Sequence, residues 1–474
     1  MTVAGNLGEL KASGYPDRSV KDELRTNLLA RLSSGDKLFP SIVGYDDSVI
    51  PSIERAVLAG HDVIVLGERG QAKSRIMRYL AGLLDEHVPA IAGCEVNDHP
   101  YHPICARCRE LVAREEDATP IEWVHRDLRY SEKLATPDVS VADLIGDVDP
   151  IRVAEGRYLG DELTIHYGLV PRTNRGILAL NELPDLPERI QVSLLNILEE
   201  RDIQIRGYKI RLPLDLMLIA SANPEDYTHR GRIITPLKDR FGTQVRTHYP
   251  QRVEDEVAIM EQEARPAPEG IPIYIPGYLK EVVAAFAALL RTSPQVNQRS
   301  GVSVRFSIGA LETIVASALR RAVINNEPEA VPRPSDLQSI VHSSIGRIEF
   351  DTLEEGREHE ILERALKEAV LEIWQRHATG EDLAPVLDAF DEGLSVEVSG
   401  DMGSDEFLRQ LPVDDREVAA AFERVQQRLK LPEVTPAARA SALEFCLEAL
   451  HLNRRLNKTQ ARETGRVRFA APSV

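Results

Sequence analysis

The run Gly67-Glu68-Arg69-Gly70-Gln71-Ala72-Lys73-Ser74 has the spacing of a phosphate-binding loop. It follows DVIVLG (62–67), a stretch of β-branched residues, and precedes IMRYLAGLLDEH (76–87), which is apolar at helical spacing. Between a strand and a helix, such a loop turns backbone N–H groups toward phosphate at the helix N-terminus. Lys73 would then reach the β- and γ-phosphates of ATP, and the Ser74 hydroxyl would bind Mg²⁺. Glycine usually precedes the lysine; Ala72 stands there instead and fits easily if its φ is negative. A second apolar run, GILALNEL (176–183), ends in Asn181 and Glu182. At such a strand end an Asp holds Mg²⁺ partly through water, and a following Glu polarises the attacking water. Asn181 occupies the Asp position; it can accept a hydrogen bond from metal-bound water but brings no negative charge. Weakened Mg²⁺ affinity is the expectation.

Three further residues suit the same chemistry. Asn223 closes the apolar run DLMLIASAN (215–223), at the strand edge where open α/β sheets bind ligands, and its amide could orient the attacking water. Arg240 follows a short helix in TPLKDRFG and could neutralise charge on the transferring phosphoryl group. Arg305, in GVSVRFS, enters a later helix from which it could close over the nucleotide.

A separate cluster, GCEVNDHPYHPICARCRE (93–110), contains Cys94, His99, His102, Cys105 and Cys108. The Cys-x-x-Cys pair makes a ligand knuckle of the kind Zn²⁺ favours. Cys94 and one histidine could complete a tetrahedral shell, His102 being the assignment and His99 its alternative. The competing reading is free thiols in a loop. Cys446 lies on an amphipathic helix and reads as core.

The elements that must position these groups alternate. PSIERAVLAG (51–60) and 189–201 read as helices, and 62–67, 175–182 and 215–223 as buried strands, which together imply a parallel sheet. Residues 88–120 read as an irregular insertion, and 202–213 as a hairpin. The Pro-rich stretch 264–277 marks a boundary. Beyond it, 279–291, 307–325, 335–348, 354–377, 414–430 and 436–457 read as helices, 393–404 as a strand-and-loop break, and the tail from Lys458 as frayed. The expected domains are an N-terminal helical segment (1–38), an α/β nucleotide-binding domain (39–263), a helical lid (264–350) and a mostly helical C-terminal extension (351–474).

Composition narrows the function classes. The 474 residues carry 57 Lys and Arg against 75 Asp and Glu, a net charge of −18. That argues against non-specific binding to nucleic acid or anionic membranes. The sequence has no apolar run of membrane-spanning length and no apolar core typical of a signal peptide. Only 4 Cys are present, three of them within 94–108, which fits metal binding or free thiols in a reducing cytoplasm rather than a disulfide scaffold.

Taken in order, FPSIVGYD (39–46), GERGQAKS, RTNRGILALNELPDL (172–186), ASANPED, LKDRFG and SVRFS resemble the magnesium-chelatase subunit I group of AAA+ ATPases, with the MoxR-type ATPases as close cousins. The resemblance spans roughly residues 39–348. It implies an AAA+ P-loop domain with a helical lid, and a homo-oligomeric ring, often hexameric, with ATP at subunit interfaces. It also implies a hairpin insertion before Asn223, and a partner protein bearing a von Willebrand A-type metal-ion-dependent domain. By position it assigns Lys73 and Ser74 to phosphate and Mg²⁺, Glu182 to the catalytic carboxylate, Asn223 and Arg305 to the two sensors, and Arg240 to the arginine finger. Arg172 and Arg175 fall in a segment that often faces the adjacent subunit. Asn181 departs from the family's Asp, and the chain continues well past the lid.

Three functions compete on this reading. The first is an ATP-driven ring motor that remodels a partner or assists its metal loading. The second is a nucleotide-gated scaffold with feeble hydrolysis, caused by Asn181. The third is a DNA-acting transcription activator, which the acidic charge and the lack of a GAFTGA-type loop disfavour.

Overall fold

The computed structural model describes residues 4–148, 162–200, 212–223, 232–265, 270–297, 300–351, 356–378, 383–431, 435–460 and 466–472. The hairpin expected at 202–213 lies almost wholly outside them. The chain packs as two units, Met1–His248 and Tyr249–Val474.

In the first unit the strands run β1 (Val63–Leu66), β2 (His87–Ile91), β3 (Ile121–His125), β4 (Tyr130–Leu134), β5 (Gly146–Val148), β6 (Ile165–Tyr167), β7 (Gly176–Asn181), β8 (Leu216–Ala222) and β9 (Thr243–Arg246). Five of them form one sheet in the order β4-β7-β8-β1-β9, and every pairing in it is parallel. The short apolar runs seen in the sequence are its three central strands, fully buried because helices cover both faces. Alternate residues divide between those faces. Val63, Val65, Ile177, Ala179, Met217 and Ile219 pack toward the helices Val20–Ser34, Val49–Ala59 and Lys73–Leu80. Ile64, Leu178, Leu180, Leu216 and Leu218 pack with Ile190, Leu194 and Ile197 of the helix Glu188–Glu200. This is a parallel sheet between two layers of helices, the α/β fold class that the sequence implies.

Three expectations change. The helix expected over 76–87 occupies Lys73–Leu80 plus a 3₁₀ turn to Leu83, and His87 already begins β2. Residues 88–120 are not irregular: β2 pairs antiparallel with β3, and the helix Ala106–Glu115 starts inside the knuckle and carries Cys108. In the tail expected to fray, the described residues are instead strand-paired. β10 (Val396–Val398), β11 (Asn457–Gln460) and β12 (Val467–Ala470) form an antiparallel sheet in the second unit, in which Phe469 is fully buried. Polar tails of this kind look solvated in one dimension, whereas here alternate residues face a core.

The second unit is otherwise helical. Its helices Gly277–Thr292, Val304–Asn325, Glu358–Ala378, Arg416–Arg428 and Pro436–Leu452 contribute to one apolar core, so the 264–350 segment and the 351–474 segment pack together rather than separately. Among the described residues no helix is long and apolar enough to cross a membrane.

Candidate functional site

Strand order explains how the site is assembled. β8 lies between β1 and β7, so the residue just after β8 stands between the loop leaving β1 and the carboxylate leaving β7. Asn223 occupies that position, and its amide joins the two. Its Oδ1 accepts from Lys73 Nζ at 2.6 Å, and its Nδ2 donates to Glu182 Oε2 at 2.8 Å. Lys73 is buried and also donates to the carbonyls of Gly67 (2.5 Å) and Glu68 (2.9 Å). Ser74 Oγ donates to Asn181 Oδ1 at 3.1 Å. Ser221 Oγ donates to the same oxygen (3.2 Å) and accepts from the Glu182 backbone N–H (3.1 Å).

The loop has the compactness its spacing implies. Gln71 Oε1 accepts from Glu68 N (3.0 Å) and Thr247 Oγ1 (2.6 Å), tying the loop to the chain leaving β9. A Cβ on Gly67 would collide with the Thr247 hydroxyl and the Gln71 amide oxygen, so a larger residue there would have to displace both side chains. Gly70 sits at φ 79° and Arg69 is exposed on the rim. Ala72 corrects the sequence reading. Its φ is 56° rather than negative, a left-handed conformation that costs a residue with a Cβ about 1–2 kcal/mol. Glu182 is also left-handed, at φ 56° and ψ 47°. Strain of this kind gathers at functional sites, where the surrounding structure holds it in place.

One member of the network was not legible as a site residue. Glu132, on β4, accepts from Asn181 Nδ2 at 2.6 Å and takes both Nε (2.7 Å) and Nη2 (2.9 Å) of Arg78. Those Arg78 hydrogen bonds hold its carboxyl below the usual carboxylate range. The Asn181 amide therefore bridges the Ser74 hydroxyl to a carboxylate on the neighbouring strand. The sequence YSEKL has no apolar run because β4 lies at the sheet edge, and it shows no apolar–polar alternation by which a strand could be read.

The predicted arginines separate. Arg240 ends the helix Thr235–Arg240 in the first unit and is exposed. Arg305 is exposed near the start of the helix Val304–Asn325 in the second unit, where its backbone N–H donates to Ser303 Oγ at 3.2 Å. Arg172 is exposed, but Arg175 is buried, with Nη1 donating to Pro89 O at 2.6 Å. Burial pushes the Arg175 guanidinium down to about 10. Arg175 is thus an internal brace rather than a residue offered to a neighbour.

Of the predicted zinc ligands, Cys94, Cys105 and Cys108 come together. His102 does not join them: it is exposed and pairs with Asp17 at 2.7 Å. Cys446 is fully buried core, as expected.

A family model described as the Sigma-54 interaction domain matches residues 153–240. The chain is 32% identical over 235 residues to the magnesium-chelatase 38 kDa subunit of Cereibacter sphaeroides, covering 47% of this chain and 62% of that protein. It is 30% identical over 258 residues to the subunit of the same name from Rhodobacter capsulatus, covering 50% of this chain and 65% of that one. The chain therefore spans under two-thirds of the length of these curated relatives. Among solved structures, the complex between subunits BchI and BchD of magnesium chelatase is 21% identical, with 68% of this chain and 98% of that chain covered and a TM-score of 0.36.

Proposed function

We propose that this chain, magnesium-chelatase subunit I-like in sequence and AAA+ in fold, binds and hydrolyses ATP as one subunit of a ring. The observation that carries this reading is the Asn223 amide linking Lys73 to Glu182 across three adjacent strands. The loop 67–74 cradles the phosphates with backbone N–H groups, and Lys73 supplies the cation. The hydroxyl of Ser74 and the amide oxygen of Asn181 form an oxygen donor set that suits Mg²⁺. When bound with nucleotide, Mg²⁺ neutralises charge on the phosphate oxygens.

Glu182, held in orientation by Asn223 Nδ2, accepts a proton from the attacking water while the bond from the γ-phosphorus to the ADP oxygen breaks. Lys73 and Arg240 offset the charge that develops on the transferring group. Because Arg240 is exposed, it suits delivery to the site of a neighbouring subunit. Arg305 fits the role of second sensor by its place at a helix start. A hexamer, a partner with a von Willebrand A-type domain, and remodelling or metal loading of that partner follow from the subunit I and MoxR-type resemblance. They extend the reading of the site.

The test is steady-state ATP hydrolysis with Mg²⁺. Lys73→Ala should abolish turnover, and Glu182→Gln should reduce it by about 100-fold or more while nucleotide still binds. Tight ATP binding with no turnover in the unaltered chain, alone or with its partner, would instead favour a nucleotide-gated scaffold.

A further inference from the structure

We propose that Cys94, Asp98, Cys105 and Cys108 hold a single zinc ion, and that this ion fixes the loop that braces the start of β7. The proposal stands apart from the nucleotide site. One ligand atom from each of the four residues lies within 4.8 Å of every other. A regular tetrahedron with metal–sulfur bonds of about 2.3 Å has edges of about 3.8 Å, so the cluster is close to one mononuclear shell. An iron–sulfur cluster, which spreads its thiolates over several metals, needs a wider arrangement.

All four residues are buried: Cys108 and Asp98 are 0% exposed, Cys105 6% and Cys94 8%. Asp98 Oδ2 is occupied, accepting the backbone N–H groups of Ile104 (3.1 Å) and Cys105 (3.0 Å). Its Oδ1 is buried and accepts no hydrogen bond among the described residues. A buried carboxylate oxygen without a donor is costly, and a cation shared with three sulfurs would satisfy it.

The surrounding backbone is shaped for thiolate. Asp98 N donates to Cys94 Sγ and Cys108 N to Cys105 Sγ, each at 3.4 Å. Cys105 is also the N-cap of the helix Ala106–Glu115, where the helix dipole favours negative charge. Zinc entry would form three Zn–S bonds and one Zn–O bond. The three thiol protons would pass to solvent.

What the ion would hold is visible in the next contacts. Val96 O accepts from Asn174 Nδ2 at 2.9 Å, and Asn97 Nδ2 donates to Arg172 O at 3.0 Å. Asn97 O accepts from Arg175 Nη1 at 3.4 Å. The segment between two of the four ligands thus grips residues 172–175. Those residues lead directly into β7, and β7 ends at Asn181 beside Glu182.

The experiment is elemental analysis of the full chain, purified reduced and without chelator. One zinc per chain is expected. Cys108→Ser and Asp98→Ala should each lose it, and His102→Ala should retain it. Loss of zinc in His102→Ala with retention in Asp98→Ala would overturn the ligand set. Iron with labile sulfide in place of zinc would overturn the mononuclear site.

Should the cysteine variants fail to fold, cobalt(II) reconstitution of the unaltered chain decides the matter. The intense visible bands of a tetrahedral thiolate site are expected. A reduced chain that neither carries zinc nor takes up cobalt(II) refutes the proposal. Stripping the metal should lower Tm by about 5 °C or more and raise amide exchange at residues 172–176, both restored by zinc. Exchange there that is indifferent to metal would overturn the bracing role.

Discussion

Asn181 is where the chemistry of this site turns. Its amide has two ends and both are engaged: Oδ1 faces Ser74, and Nδ2 donates to Glu132. An Asp here would present an oxygen to the Glu132 carboxylate at hydrogen-bond distance, and two like charges would meet. Asn181→Asp alone should therefore improve Mg²⁺ affinity little. Asn181→Asp combined with Glu132→Gln should improve it by about 5-fold or more beyond the sum of the single changes, a coupling of about 1 kcal/mol. Mg²⁺ titration of ATP turnover in the four proteins of this cycle measures it, and additive effects would show that Glu132 does not act through Asn181. At the same scale, Ala72→Gly should relieve the left-handed backbone. A gain of up to about 1 kcal/mol in urea unfolding is expected, part of the strain relief being offset by glycine's greater freedom when unfolded.

At the scale of elements, the edge strand β4 and the helix Lys73–Leu80 are joined by the Arg78–Glu132 pair. Glu132 has a carboxyl held below its unfolded value. Its contribution to stability is therefore complete above the unfolded pKa and is lost as pH falls through the folded one. A Glu132→Gln variant should trail the unaltered chain in stability at neutral pH and converge with it in acid. Equal pH profiles in urea unfolding would remove the pair from the account.

In the second unit, a buried charge network joins three elements. Arg321 takes both oxygens of Asp336 (2.7 and 2.9 Å), Asp336 also accepts from Arg333 N (2.7 Å), and Glu444 accepts from Ser335 N (2.6 Å). Removing one partner leaves buried charge uncompensated. Asp336→Ala should cost about 3–5 kcal/mol, read from thermal or urea unfolding. A loss below about 1 kcal/mol would mean that water replaces the carboxylate.

At the scale of the whole molecule, the ring proposal makes a complementation prediction. A chain with Lys73→Ala still presents Arg240, and a chain with Arg240→Ala still has an intact phosphate loop. If Arg240 reaches the neighbouring subunit, each variant should be inactive alone and mixtures should recover turnover. If Arg240 acts within its own chain, mixtures should stay silent. Removing an arginine finger costs about 10³-fold or more in rate, so recovery would stand well clear of background.

The sequence by itself determined the parts whose cause is local. A tight strand-to-helix loop needs glycines at fixed spacing, and strands buried on both faces need unbroken apolar runs. The positions of Lys73, Ser74, Glu182 and Asn223 at the ends of strands and the start of a helix were therefore readable, as were the three central strands. Tertiary structure decided what depends on neighbours distant in the chain. Strand order set Asn223 between Lys73 and Glu182, and it set Glu132 beside Asn181. An edge strand needs no apolar run, so β4 left no strand signal in the sequence. Spacing alone favoured a histidine as the fourth partner of the three cysteines. The fold instead turned His102 outward to Asp17 and buried Asp98 against the thiols, because the chain direction between Cys94 and Cys105 decides which polar side chain faces inward.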